Sequence, residues 1–365
     1  MQPKPNIIHL PVYQPGKPIE AVKRELGLSE VIKLASNENP YGCSPAVKEA
    51  IVREMENTAL YPDGGAFALS EALAAHLGVK PDQLIFGAGA DEVIQMIARA
   101  YLMPGDETVM AAQTFPQYKF GAMAENAAVV EVPLKDGVHD LDAMLERITE
   151  RTKIVWVCNP NNPTGTFVTR AQLVRFLDAV PRNVMVVLDE AYFEYAVDPE
   201  YPNGISLLPN YPNLVVLRTF SKIYGLASLR IGYGVAHADV IRNFNQVRQP
   251  FNTSRFAQTA AIAALGDTDF VRRCREANRQ GLRQLGEAFD RMGLKYYPSQ
   301  ANFVFVDVRR DAKDVFERLL KRGIIIRAGF PGFPAGVRIT AGTPEQNERL
   351  IAALEAVLHE MKVQV

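Results

Sequence analysis

The sequence predicts an α/β fold, with a mostly parallel sheet in a large domain and a smaller α+β domain after it. Short β-branched runs at 154–158, 183–188 and 213–217 are apolar throughout, as expected for strands that are covered on both faces. After Phe251 the pattern changes to a long helical stretch whose amphipathic part, 271–292, suits a bridge between two domains.

The length of 365 residues exceeds that of one average domain and favours two unequal ones. We expect an N-terminal arm over residues 1–30, a large domain over 31–255 and a small C-terminal domain over 256–365, the last joined by part of the N-terminal segment. The arm is expected to be extended, because it holds several prolines and little periodicity.

Two helices before the first predicted strand are recognised from the residues at their ends. Ser44 followed by Pro45 is typical of a helix start, and a second helix is expected at about 68–77 before Gly78. The apolar run 84–86 then leads through a glycine-rich turn into a helical pattern, an order that suits phosphate binding.

Each later strand of the large domain ends in polar residues. These residues are 159–164, Asp189 with Glu190, and 219–222. Because ligands of open α/β sheets bind beyond the carboxyl ends of the strands, we expect the functional site there. The small domain is predicted as strand 301–308, a helix, strands 324–327 and 337–340, and a final helix whose first turn Thr343 caps.

Composition excludes several classes of partner. Lys plus Arg (40) nearly balances Asp plus Glu (41), so no net charge attracts nucleic acid or an anionic membrane. No apolar run reaches the ~20 residues of a membrane span, and the N-terminus lacks a signal-peptide core. The three separated cysteines fit a reducing cytoplasm, and the histidine spacing gives no metal motif. We expect a soluble cytoplasmic protein without a metal.

Two residues at strand ends carry the most chemistry. Lys222 follows a buried strand beside the hydroxyls of Thr219 and Ser221 and precedes Arg230, so this segment can hold a phosphate while the amine attacks an aldehyde. Asp189 either caps the next helix or, beside such a lysine, keeps a pyridine nitrogen protonated.

Three segments make the family resemblance plain: CNPNNPTGT at 158–166, LDEAYFEY at 188–195 and RTFSKIYGLASLRIGYG at 218–234. In this order they resemble the fold-type-I aminotransferases, which depend on pyridoxal 5′-phosphate (PLP). Within that superfamily the sequence is most similar to the histidinol-phosphate aminotransferases. The segments that carry this closer resemblance are 34–45, Tyr61 with Pro62, 87–94 and 338–347.

The resemblance implies roles at the ring of the cofactor. Lys222 would hold PLP as a Schiff base and shuttle the substrate proton, and Asp189 would pair with the pyridine nitrogen. Asn162 and Tyr192 would hydrogen-bond the ring hydroxyl, which keeps the lysine nitrogen poised near neutral pH. Phe115 would stack on the ring, although an ordinary core aromatic fits the same pattern.

The resemblance also implies a phosphate site and a shared dimer. The phosphate would bind the backbone amides of Ala90 and Asp91 together with Thr219, Ser221 and Arg230. This chain has Gly87-Ala88-Gly89-Ala90-Asp91 where the family usually has Gly-Asn-Gly-Ser-Asp, so only the backbone contacts carry over unchanged. Tyr61 would reach this phosphate from the other subunit of a homodimer.

For the substrate, the resemblance implies that Arg338 clamps a carboxylate and that Arg327, Tyr13 and Asn37 complete the pocket. The expected reaction transfers the amino group of histidinol phosphate to 2-oxoglutarate, giving imidazole acetol phosphate and glutamate in histidine biosynthesis. An aromatic amino-acid aminotransferase and a threonine-phosphate decarboxylase remain alternatives. A PLP-binding regulator without turnover is disfavoured, because all catalytic positions are filled.

Overall fold

A computed structural model describes residues 1–8, 10, 12 and 16–363. The α-helices of these residues are α1 Ile19–Leu26, α2 Pro45–Glu54, α3 Phe67–Leu77, α4 Ala90–Tyr101, α5 Gln117–Ala124, α6 Leu141–Glu146, α7 Arg170–Ala179, α8 Ala238–Val247, α9 Arg255–Gly266, α10 Thr268–Met292, α11 Ala312–Lys321 and α12 Pro344–Val363. Their strands are β1 Ile32–Lys33, β2 Leu84–Gly87, β3 Glu107–Ala111, β4 Ala128–Val132, β5 Thr152–Cys158, β6 Met185–Asp189, β7 Leu214–Thr219, β8 Gly232–Val235, β9 Lys295–Tyr296, β10 Phe303–Asp307, β11 Ile324–Ile325 and β12 Gly336–Thr340.

A seven-stranded sheet forms the centre of the large domain, in the order β2-β8-β7-β6-β5-β3-β4. Only β8 within this sheet runs antiparallel to its neighbours, β2 and β7. The predicted strands β5, β6 and β7 are parallel and almost wholly buried, which confirms the mostly parallel sheet. Their register pairs Cys158 with Asp189, so the ends of β5 and β6 lie at one edge.

Local signals set the helix ends as the sequence predicts. The Ser44 hydroxyl accepts a hydrogen bond from the amide of Ala46 and caps α2. Gly78 ends α3 with φ 70°, a left-handed conformation that favours glycine. At the start of α12 the side chains of Thr343 and Gln346 each accept a hydrogen bond from the other residue's backbone amide, which is a capping box.

The N-terminal arm differs from the expected extended chain, because residues 19–26 form helix α1. The prediction overlooked the apolar spacing of Ile19 and Val22, which places both side chains on one helix face. Val22 is fully buried against Ala35 and Ile325, and Gly27 ends the helix in a left-handed conformation.

Three large apolar cores organise the chain. Two of them include residues of the central sheet, and the third joins Leu34 to side chains between 285 and 361. Helix α9 and the first turns of α10, as far as Cys274, belong to a core of the central sheet. We therefore propose that the domain boundary falls within α10, between 274 and 285, rather than at residue 256.

The N-terminal segment joins the small domain through backbone pairing. Strand β1 pairs in parallel with β11, and the three-stranded sheet β12-β10-β9 lies in the same C-terminal part of the chain. The amide of Leu34 bonds the carbonyl of Ile325, and the amide of Thr340 bonds the carbonyl of Leu34. Residues 35–37 are thereby held beside β12. Within the described ranges, no helix combines the length and apolarity that crossing a membrane requires.

Candidate active site

A cavity of about 260 Å³ lies beyond the carboxyl ends of β5, β6 and β7, as the strand order predicts. Residues of the N-terminal segment and of the small domain complete its wall. The predicted site residues that line it are Asn37, Ala90, Asp91, Phe115, Asn162, Asp189, Tyr192, Thr219, Ser221, Lys222, Arg230, Arg327 and Arg338.

Lys222 follows the end of β7 and places its amine in this cavity. The Nζ atom donates to the carbonyl of Ser36 at 3.4 Å and lies 5.6 Å from the centre of the Tyr192 ring. Burial lowers the pKa of Lys222 to about 8, and the positive charge of Arg338 acts in the same direction. A pKa of about 8 leaves roughly a tenth of the amine neutral at pH 7, and this neutral amine is the nucleophile.

Asp189, the last residue of β6, presents a buried carboxylate. The hydroxyl of Tyr118 donates to Oδ2 at 2.6 Å, and the amide of Ala191 donates to Oδ1 at 3.0 Å. Burial raises the pKa of Asp189 to about 6, whereas both hydrogen bonds act against this rise. The alternative role as a helix cap does not apply, because a short 3-10 turn at Phe193–Tyr195 follows rather than an α-helix.

Asn37 connects the N-terminal segment to both sides of the cavity. Its side-chain amide donates to the Tyr192 hydroxyl at 2.9 Å, and its Oδ1 accepts from the Thr340 hydroxyl at 3.1 Å. The backbone φ of Asn37 is 57°, a left-handed conformation that asparagine tolerates better than most residues. Burial raises the pKa of Tyr192, so its hydroxyl remains protonated at neutral pH.

Arg338 is a buried guanidinium held by several groups. Its Nη1 donates to Oδ1 of Asn162 at 2.6 Å, and its Nη2 donates to the carbonyl of Ala35 at 2.6 Å. The aromatic rings of Phe303 and Phe330 lie 5.3 Å and 5.7 Å from the guanidinium carbon. This arrangement fixes the direction of Arg338 and connects it to a residue predicted to contact the cofactor ring.

The N-terminus of α4 forms an anion cradle with Arg230. Gly89 caps this helix with φ 76°, and a Cβ atom there would collide with the Arg230 guanidinium. Arg230 reaches Asp91 at 3.4 Å and the Ser221 hydroxyl at 3.5 Å. The helix dipole, backbone amides and guanidinium together favour a phosphate here.

Arg327 lies at the mouth of the cleft. Its backbone pairs with that of Arg338 in an antiparallel bridge, so both arginines come from neighbouring chain segments. A second cavity of about 540 Å³ adjoins the first, since Phe115, Asn162, Arg327 and Arg338 line both. Both arginines can therefore meet one ligand.

Tyr61, a predicted site residue, does not line this cavity. Tyr61 is 77% exposed and stacks on Phe251, with 4.6 Å between the ring centres. Tyr13 lies outside the residues that the structure describes. The described part of one chain therefore forms the cavity without the Tyr61 ring.

Ser36 and Tyr118 are among the residues that the sequence prediction missed and that contact the two central side chains, Lys222 and Asp189. The carbonyl of Ser36 accepts a hydrogen bond from the Lys222 amine, and the Tyr118 hydroxyl donates one to the Asp189 carboxylate. Ser36 carries no local signal, since its contact uses the backbone. Tyr118 had only a weak signal, its place in the first turn of α5 three residues after Phe115, and the two rings are in contact with 5.6 Å between their centres.

The fold and the cleft together define an aminotransferase. A family profile described as aminotransferase class I and II matches residues 29–354, and the chain belongs to this family. The histidinol-phosphate aminotransferase of Brevibacillus brevis is 57% identical over 98% of this chain and 99% of its own. That of Bacillus subtilis is 54% identical over 98% of this chain and all of its own.

A solved structure gives the same result in three dimensions. Histidinol-phosphate aminotransferase from Sinorhizobium meliloti, in complex with pyridoxal-5′-phosphate, matches with a TM-score of 0.91 and 32% identity over 98% of this chain and 97% of that one. The predicted fold-type-I α/β class and the predicted aminotransferase are confirmed, and the predicted cofactor is the one bound in that relative.

Proposed function

We propose that this chain is a PLP-dependent aminotransferase that transfers the amino group of histidinol phosphate to 2-oxoglutarate, a step of histidine biosynthesis. One observation carries the proposal: a single cleft holds a reactive amine, a buried carboxylate, an anion cradle and two arginines. The full-length similarity to histidinol-phosphate aminotransferases, at 54–57% identity, supports the choice of substrate.

The residues of the cleft fit PLP in three places. Asp189 offers a carboxylate, Lys222 an amine with a lowered pKa, and the α4 N-terminus with Arg230 a set of donors for a phosphate. A Cβ at Gly89 would fill the cradle, which explains why this position is glycine. Bound PLP supplies an aldehyde that takes up amino groups and a ring that withdraws electrons from the substrate.

Lys222 has two tasks in this proposal. Its amine holds the cofactor covalently between turnovers, and after release it moves a proton at the substrate carbon that carries the amino group. A pKa of about 8 suits both tasks, because proton transfer is fastest for groups that titrate near the working pH. Ser36 aims the amine through its carbonyl.

The other wall residues orient the ring. Asp189 stabilises positive charge on the ring nitrogen, and Phe115 packs against a ring face. Tyr192 and Asn162 bind the ring hydroxyl. Asn37 and Arg338 already hold these two side chains by hydrogen bonds of 2.9 Å and 2.6 Å, so their orientation is fixed within the protein.

Arg338 and Arg327 bind the charged ends of both substrates. Histidinol phosphate has a phosphate and no carboxylate, whereas glutamate has two carboxylates, so the same guanidinium groups must serve both anions. Asn37 and Tyr13 complete the proposed pocket. The bridge between the two arginine backbones supports this use, because it keeps both side chains at one cleft.

A substrate panel with the purified protein tests the proposal. We expect histidinol phosphate to exceed phenylalanine and tyrosine in kcat/KM. The adjoining cavity favours an aromatic aminotransferase as the second candidate, since Phe115, Phe120, Phe330 and Pro331 make part of its lining apolar. A higher kcat/KM for phenylalanine would select that function instead.

The substitution Arg327→Ala should weaken histidinol phosphate. The loss of a charged hydrogen bond predicts about 1.5–3 kcal/mol, or roughly a 10- to 150-fold lower kcat/KM. Steady-state kinetics with histidinol phosphate measure this effect. Arg322→Ala is the matched control, because Arg322 pairs with Glu360 at 2.6 Å and lies outside both cavities. An unchanged kcat/KM in Arg327→Ala would remove this residue from the substrate site.

We further propose that the protein works as a homodimer with shared active sites. Several large apolar side chains are exposed at positions 52–67, and the exposed Phe251 ring stacks on Tyr61, so this group suits an interaction surface. These side chains are Val52, Met55, Leu60, Tyr61, Phe67 and Phe251. Tyr61 would then enter the phosphate site of the partner, consistent with its 77% exposure in the single chain.

Mixing two inactive variants tests the shared site. Lys222→Ala and Tyr61→Ala chains should each have little activity, and co-refolded mixtures should regain some. The reason is that one of the two sites in the heterodimer receives both Lys222 and Tyr61 intact. Activity is measured after subunit exchange has been verified with differently tagged chains. Verified heterodimers without any recovered activity would exclude the shared site.

A cytoplasmic location is part of the proposal. Cys43, Cys158 and Cys274 are all free thiols, and such thiols are most common in proteins of reducing compartments.

A further inference from the structure

Tyr118 is the one side chain that donates a hydrogen bond to Asp189 among the described contacts. Its hydroxyl lies 2.6 Å from Oδ2, while the backbone amide of Ala191 occupies Oδ1 at 3.0 Å. The two donors approach different oxygens and so fix the plane of the carboxylate. A phenol does this without bringing a positive charge that would compete with a cationic ligand.

The Tyr118 ring has no freedom to move away. It stacks on Trp156, with 4.8 Å between ring centres and 10° between planes, and meets the edge of Phe115 at 5.6 Å. Trp156 is held in turn by a hydrogen bond of 2.8 Å from its Nε1 to the Thr108 hydroxyl. Tyr118, Trp156 and Thr108 are fully buried, so rotating the ring would break the hydrogen bond to Asp189 at a place where no solvent replaces it.

The charges around Asp189 show what the phenol does. Burial raises the pKa of Asp189 to about 6, and the negative groups Asp91 and Glu190 act in the same direction. Cys158 is also close, but its own pKa is raised to about 12 by burial, so the thiol stays neutral. Tyr118 opposes the rise, and the pKa of its own hydroxyl is raised, which keeps it a donor.

We propose that Tyr118 is a positioning residue that aims the Asp189 carboxylate and keeps it ionised for the positively charged ring nitrogen of the cofactor. This proposal rests on the proposed function, because that function identifies the cofactor. The hydrogen bond between Tyr118 and Asp189 needs no cofactor, because both partners are residues of the chain. Tyr118 would also link the two residues that act on the cofactor ring, because it packs against Phe115, which stacks on that ring, and hydrogen-bonds Asp189, which stabilises the charge on its nitrogen.

The first test uses the full chain without cofactor. Infrared difference spectra over a pH titration follow the carboxyl stretch of Asp189, which Asp189→Asn identifies by its loss. We expect Tyr118→Phe to raise the midpoint by about one to two pH units above the wild-type value, as the loss of a hydrogen bond to a charge predicts. Tyr211→Phe is the matched control, since Tyr211 donates to Asp178 at the same 2.6 Å but neither residue lines the cavities of the cleft.

A second variant separates hydrogen bonding from packing. Replacing Tyr118 by difluorotyrosine keeps the ring and makes the phenol a stronger donor, so the Asp189 midpoint should fall instead of rise. This variant also keeps the test valid if Tyr118→Phe folds poorly. Opposite shifts in the two variants support the proposal, whereas an unchanged midpoint in both, or an equal shift in Tyr211→Phe, would overturn it.

The final readout is the pH profile of the loaded enzyme with its best substrate. In Tyr118→Phe, kcat should fall about tenfold or more near neutral pH, and the acid limb of its pH profile should move to higher pH. KM should stay close to the wild-type value, because Tyr118 does not line the substrate cavity. A loss confined to KM, or a uniform loss without movement of the acid limb, would contradict the proposal. A wild-type protein that neither binds PLP nor transaminates would instead refute the proposed function, and the cofactor-free titration would still decide the role of Tyr118.

Discussion

Lys222→Ala should lose nearly all transaminase activity, by roughly four orders of magnitude or more, the upper end for a general acid–base group. No other amine lines the cavity within the described chain, so no neighbour can both hold the cofactor and move the substrate proton. The near-visible absorbance that covalently held PLP gives should disappear as well. Absorbance spectra and single-turnover assays measure the two losses separately.

Lys153→Ala is the matched control for this substitution. Lys153 is also partly buried, with 38% of its side chain exposed, but its amine pairs with Asp106 at 3.9 Å, and neither residue lines the cavities of the cleft. We expect the control to keep both its spectrum and its rate. A fully active Lys222→Ala protein would end the proposed mechanism.

Asp189→Asn should still bind PLP but react at least a hundred- to a thousandfold more slowly, roughly the loss typical of removing one fixed electrostatic partner. The amide keeps the shape of the side chain and its oxygen can still accept from the Ala191 amide, while its NH2 group can donate to the Tyr118 hydroxyl, so the change removes the charge and reverses one hydrogen bond. Without a carboxylate the ring nitrogen loses its stabilised proton, and the ring withdraws electrons poorly. Cofactor titration and kcat measured together show whether binding and rate separate in this way.

Asp178→Asn provides the control for charge removal. Asp178 accepts a hydrogen bond from a tyrosine at the same distance, 2.6 Å, but it contributes nothing to either cavity of the cleft. Its loss should leave kcat within about twofold, as expected for a substitution away from the site. Wild-type rates in Asp189→Asn would show that the ring nitrogen needs no anionic partner here.

Local patterns were sufficient for most elements that build the site. The runs that form β5, β6 and β7 are apolar without alternation, because each is covered on both faces, and this pattern is legible in the chain itself. The polar residues that follow these strands lie close together, since parallel strands have their carboxyl ends at the same edge of the sheet. The strand pattern alone therefore predicts that Lys222 and Asp189 share one cleft, and both line the same cavity.

Strand β8 and helix α1 are two of the elements that escaped prediction, and both have weak local signals. Strand β8 joins the sheet antiparallel between β2 and β7, and its two glycines dilute the β-branched pattern. Helix α1 is short and lies in a proline-rich segment, so its one fully buried residue, Val22, was not apparent. Both are stabilised chiefly by partners far along the chain, which local propensity does not reveal.

The sequence by itself determined the fold class, one end each of helices α2, α3 and α12 and the residue types of the site, because these follow from periodicity, caps and short motifs within a few residues. Only the tertiary structure decided which side chains hold each other. Tyr118 meets Asp189 across 71 residues, Arg338 meets Asn162 across 176, and Asn37 meets Thr340 across 303. Such pairs depend on strand order and register, which are set when distant segments bury their apolar faces together, and the free energy of that burial belongs to no single stretch of sequence.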